Sequence, residues 1–102
     1  MNINEYNLNK DIYFQIISRY LDKLSLESKN HVIHYFNVAE IEMSYESFLL
    51  SLKSEDIELN DKDANKLIEL GMYLGLDQDS VFKDDFWEYI LPWLKQVTNE
   101  SE

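Results

Sequence analysis

The sequence predicts an all-α fold, a small antiparallel bundle of about five helices, and three observations carry that prediction. Apolar residues recur at spacings of three and four along most of the chain, as in helices with one buried stripe. Two glycines and a single proline leave few residues for tight hairpins, and no Asn-Gly or Asp-Gly pair sits between alternating apolar positions. The 102 residues are 45% apolar and 14% aromatic, which is enough for one domain with one core and too aromatic for intrinsic disorder.

Tyr13, Ile16, Ile17, Tyr20, Leu21 and Leu24 share one face, so the first helix is predicted over residues 10–24, with Asn9 as N-cap and Asp11 in its first turn. A Ser28 cap opens a second, shorter helix that runs through Ala39 and presents Val32, Ile33 and Phe36. Ile41, Tyr45, Phe48, Leu49 and Leu52 form the stripe of a third helix over 38–53, where Asn37 followed by Glu40 has the spacing of a capping box. The fourth begins after Asn60, whose side chain is placed to cap the amides near Asp63. It turns Ala64, Leu67, Ile68 and Gly71 inward and closes on Gly75 as a left-handed cap, with Gly71 marking close helix packing. The last presents Phe82, Phe86, Tyr89, Ile90 and Trp93, and Pro92, which lacks the amide that would bond to Glu88, predicts a kink or restart near Leu91. Residues 99–102 are expected to fray. One core is expected to hold Tyr13, Ile16, Tyr20, Phe36, Phe48, Leu49, Leu52, Leu67, Ile68, Phe86 and Ile90.

Twenty acidic residues against nine Lys and Arg give a formal charge of −11. No Lys and Arg cluster of the kind that neutralises phosphates is present, and Arg19 is the sole arginine, so direct nucleic-acid binding is not expected. The absence of cysteine removes disulfides, thiolate zinc sites and cysteine nucleophiles, and fits a reducing cytoplasm. No apolar run reaches signal-peptide length or the ~20 residues of a membrane span, which predicts a soluble, unexported, cytoplasmic protein without a membrane partner.

The charge is concentrated. Residues 1–39 hold four acids and four bases, whereas residues 40–88 hold 14 acids and four bases. Glu55, Asp56, Glu58, Asp61 and Asp63 surround the entry to the fourth helix, and Asp77, Asp79, Asp84, Asp85 and Glu88 surround the entry to the last; the two acidic loops are expected to share one end of the bundle. Acids at helix starts stabilise the positive end of the dipole and cap free amides, which accounts for part of this placement. It does not account for the scarcity of bases, because like charges repel, and a field of this kind serves to draw in a cationic partner.

Sites of chemistry are weak by comparison. Asp77, Asp79, Asp85 and Glu88 match positions of a calcium loop, but Val81 stands where a side-chain oxygen is needed and Phe82 where the sharp turn calls for glycine. His31 and His34 lie three apart with Glu27 one turn earlier, within reach of one transition metal, but a solvent-facing or core-edge histidine pair explains the spacing better. No nucleophile and base arrangement or phosphate-cradling glycine loop is present, so no catalytic activity, metal or cofactor is expected. Trp87 falls off the Phe82, Phe86, Ile90 stripe, where it serves either as an interface anchor or as a second face of the core.

The stretch from Glu40 to Asp77 places Glu46 six residues after Glu40, then a Leu-rich helix end at Leu49 and Leu52, an acidic turn with Ile57 and Leu59, and a helix closing on Leu74-Gly75-Leu76-Asp77. In this pattern the chain resembles the Maf-type immunity proteins and the related immunity proteins of contact-dependent growth inhibition. The resemblance implies a small cytoplasmic protein that binds and blocks the C-terminal toxin domain of a delivered effector, most often a nuclease with a basic cleft, as a monomer forming a 1:1 complex. An acidic helical domain complements such a cleft without chemistry of its own. Glu40 has a capping role open to it, whereas Glu46 has no local reason for burial and is the better interface residue of the two. The candidate partner-binding set is Glu46, Glu55, Asp56, Asp61, Asp63, Asp77, Asp79, Asp84, Asp85 and Trp87. The alternative is a phage-encoded acidic inhibitor that mimics nucleic acid, which the composition fits equally.

Overall fold

The computed structural model of the chain describes residues 3–100, with side chains from 3 to 98. They form five α-helices and, among the described residues, no strand: α1 (Ile3–Tyr20), α2 (Leu26–Asn37), α3 (Ile41–Ser54), α4 (Asp61–Tyr73) and α5 (Phe86–Glu100), with a short 3-10 turn at Leu21–Lys23. The expected all-α bundle is the one observed.

Two helical hairpins pack together. Glu55 at the end of α3 reaches Ser25 and Ser28 at the start of α2, so α2 and α3 run antiparallel. Trp93 and Val97 in the second half of α5 lie beside residues 56–61, where α4 begins, so α4 and α5 do the same. Helix α1 lies against α4, and its Tyr13 ring meets Phe36, Tyr45 and Phe48 at centroid distances near 6 Å. Helix α3 is the centre of the molecule, burying Ile41, Ser44, Tyr45, Glu46, Phe48, Leu49 and Leu52. Of the expected core, Phe36 and Ile68 are only partly buried and the rest is buried. Three buried hydroxyls around α3 are satisfied: those of Tyr13 and Ser44 lie 2.7 Å apart, Ser44 donates to the Val32 carbonyl, and Tyr45 donates to that of Leu67, whereas the buried Tyr73 hydroxyl on α4 has no partner among the described residues.

Helix boundaries depart from the sequence reading where side chains choose another partner. Asn9 does not cap α1; its amide donates to the Glu5 carbonyl inside a helix that begins two turns earlier. Ser25, not Ser28, caps α2 by accepting from the Ser28 amide. Asn37 is the last residue of α2 and forms no capping box, because Ala39 turns left-handed (φ 63°) and α3 starts only at Ile41 with no side-chain cap from Glu40. Asn60 caps α4 as expected, accepting from the Asp63 amide at 2.7 Å. Helix α5 runs through Pro92 without a restart, with Pro92 and Glu88 both on the exposed side. Asn99 and Glu100 belong to α5, and the remainder of the expected frayed tail, 101–102, lies outside the described residues.

Helices α2, α3 and α4 end in the same Schellman arrangement. In each, the residue after the cap is left-handed and the next amide bonds back five residues: Glu40 to Tyr35, Ile57 to Leu52, and Leu76 to Gly71. Only the third uses glycine, Gly75 at φ 79°; the others place Ala39 and Asp56 (φ 57°) where a Cβ is strained. Ala39→Gly is therefore expected to stabilise the domain by about 1 kcal/mol, read as a higher urea midpoint at unchanged slope.

Candidate functional site

Three acids of the partner-binding set prove to be structural. Glu46 has no exposed surface and its carboxylate accepts the backbone amides of Val81, Phe82 (3.1 Å) and Lys83 (3.3 Å), tying α3 to the turn before α5. This overturns its reading as a surface acid; α5 begins only at Phe86, and Phe82 and Tyr89 stay exposed instead of joining the stripe. Asp63, 3% exposed, is held by bidentate donation from Arg19 at 2.6 and 3.1 Å, by the Tyr20 hydroxyl at 2.7 Å and by the Asn60 amide group at 3.0 Å. Burial by itself would raise the Asp63 carboxyl, but Arg19, Tyr20 and Asn60 together hold it below the ordinary aspartate range. Burial, and after it the hydrogen bond to Asp63 and the charge of that carboxylate, push the Tyr20 phenol up to about 12 against the opposing effect of the Asn60 amide. Glu55 accepts from the Ser28 hydroxyl and from the amide and hydroxyl of Ser25, and donation from Ser28, then from the Ser25 amide, lowers its carboxyl.

Trp87 is not a free anchor. It is partly buried against Gly71, where a Cβ would come within 2.4 Å of its ring, so the expected close packing at Gly71 is the Trp87 contact.

The remaining acids lie at two places. Helix α4 separates the loop at 55–60 from the loop at 74–85, so the two acidic loops sit at opposite ends of α4 and do not share one end of the bundle. At the first, Asp56, Glu58 and Asp61 rim an open groove of about 660 Å³ that also reaches Ile57, Trp93 and Val97. At the second, Asp79, Asp84 and Asp85 are exposed and Asp77 is half-buried. Lys83 pairs with Asp85 at 3.3 Å, whereas Asp56, Asp61, Asp79 and Asp84 have no ion-pair partner among the described residues.

Sequence reasoning missed the apolar groups beside the second loop. Val81 and Phe82 are 41% and 48% exposed, and Phe82 meets the Tyr35 ring at 5.5 Å. The clue available was a pair of apolar residues flanked by Asp79 and Asp84, in a place where an interior stripe offered an easier explanation. Among the described residues no group of three or more His, Asp or Glu side chains converges as a metal site, and no helix is long and apolar enough to cross a membrane. No family profile, curated protein or solved structure matches the chain.

Proposed function

We propose that this chain is an immunity protein that captures the toxin domain of a contact-dependent growth inhibition or Maf-type system, a basic nuclease, and neutralises it by covering its cleft in a 1:1 complex. The observation that carries this reading is the set of exposed carboxylates left over once the fold has used Glu46, Glu55 and Asp63. Asp56, Asp61, Asp79 and Asp84 have no ion-pair partner among the described residues, in a segment with 14 acids and four bases. Such groups repel one another in the free protein, and a cationic partner relieves that repulsion while the field speeds encounter. Occlusion needs no catalytic group and no cofactor, and the site of action is the cytoplasm into which the toxin is delivered.

Genetic context supplies the partner for the test, because the reading places the toxin gene immediately upstream. Co-expression with that gene's C-terminal domain is expected to restore growth and to yield a 1:1 complex by size-exclusion chromatography. Unrestored growth with no complex would reject the reading, and equal protection against unrelated DNA-binding enzymes would favour a nucleic-acid mimic instead.

A further inference from the structure

The turn before α5 combines a buried charge with exposed apolar groups. Glu46, a carboxylate with no exposed surface, is committed to three backbone amides of residues 81–83. Those same residues project Val81 and Phe82 outward. Burying a carboxylate is unfavourable unless each oxygen is well bonded, and holding a solvent-facing apolar turn adds little to a core. The arrangement fixes the turn in one shape, as a rigid recognition element requires.

A shallow groove flanks the turn on each side. One, of about 360 Å³, is lined by Glu40, Glu42, Met43, Leu76, Asp79 and Val81. The other, of about 270 Å³, is lined by His31, Tyr35, Ser47, Leu50, Ser51 and Phe82. Val81 lines the first and its neighbour Phe82 the second, and the first is bordered by the carboxylates of Glu40, Glu42 and Asp79. The nearest lysine, Lys83, is engaged with Asp85 at 3.3 Å and with the Tyr89 ring at 4.7 Å.

We propose that the Val81–Phe82 ridge and its two grooves form the docking face for a basic amphipathic helix of the partner protein, with apolar side chains straddling Phe82 and Lys or Arg meeting the carboxylates on the Val81 side. The charge pattern selects the occupant: an apolar ridge with carboxylates along its Val81 side complements an apolar stripe with cations along one edge. Strand addition is not open to this face, because α2 and α3 use their backbone groups internally and there is no sheet edge among the described residues. The proposal rests on the reading of the protein as a capture module for a basic partner, and it places that capture at the α4–α5 connection rather than at the Trp93 groove.

The test is an amide NMR titration of the full chain with a synthetic helix of leucines and lysines that keeps its leucines on one face, beside a scrambled peptide of equal charge. Shifts are expected to centre on Met43, Leu50, Val81 and Phe82, and the scrambled peptide is expected to bind at least about ten-fold more weakly. Phe82→Ala should weaken binding by about ten-fold or more with the fold retained, the half-exposed ring contributing to stability only through its contact with Tyr35. Shifts centred on Trp93 and Val97, equal binding of the two peptides, or an unaltered affinity in Phe82→Ala would overturn the docking face. A toxin complex whose footprint avoids Phe82 would also overturn it while leaving the immunity reading intact. Peptide binding at Phe82 without any toxin complex would support the face and remove the immunity reading.

Discussion

Glu46→Ala is expected to destabilise the domain by about 3 kcal/mol and to release the turn at residues 81–83. The side chain supplies both oxygens to three amides that have no helical partner, because α5 starts only at Phe86. Removing it leaves those donors facing a void, at about 1–3 kcal/mol for a buried group, and adds the loss of packing around α3. Part of this is recoverable if the turn swings out to water, so the fall in the urea midpoint should be accompanied by fast hydrogen exchange at Val81, Phe82 and Lys83. Glu46→Gln should lie between, since an amide retains one acceptor but sets its NH2 group against a backbone donor. Wild-type exchange rates at these amides in Glu46→Ala would contradict the pinned turn.

Asp63→Ala is expected to destabilise by about 3 kcal/mol, because it removes the acceptor for Arg19, for the buried Tyr20 hydroxyl and for Asn60 at once. Its pH dependence has a definite sign. The folded carboxyl sits below its ordinary value, so the ionised form stabilises the native state. That contribution is complete above the unfolded aspartate value of about 4 and is lost as pH falls through the lower folded value. Urea titrations of wild type and variant should therefore differ most near neutral pH and converge at strongly acid pH. A constant difference down to acid pH would mean that Arg19 and Tyr20 do not depend on the charge of Asp63.

The helices were legible because periodicity and caps are local properties. Asn60, Gly75 and the stripe through Phe48, Leu49 and Leu52 each announce themselves within a few residues, and Gly71 with a bulky neighbour across the hairpin reads as close packing. The roles of Glu46 and Asp63 were not legible for a common reason. Glu46 bonds to backbone amides 35 to 37 positions away, and every residue carries such an amide, so no residue type in the sequence marks the partner. Asp63 binds Arg19 across 44 positions, and the hint there was a solitary arginine in a chain otherwise supplied with lysine. Asn9 and Ser28 misplaced helix starts because a polar side chain near a boundary can bond inward as readily as it can cap. The exposed acids were legible as a charge excess, but their division between the two ends of α4 depends on the hairpin geometry, which composition does not contain.

The central claim is that exposed carboxylates of residues 40–88 serve to capture a basic partner, and stopped-flow association with the toxin domain encoded upstream tests it most directly. The account predicts an association rate that falls as salt is raised and the charges are screened over ~8–10 Å. It also predicts that Asp79→Lys and Asp84→Lys combined slow association about ten-fold or more with the fold intact, since both are exposed, free of ion pairs among the described residues and at the α4–α5 connection, and that Asp56→Lys with Asp61→Lys, at the other end of α4, slows it less. Reversing Asp22 and Glu27 in the neutral segment should change the rate far less. An association rate indifferent to salt and to every set of reversals would contradict the account.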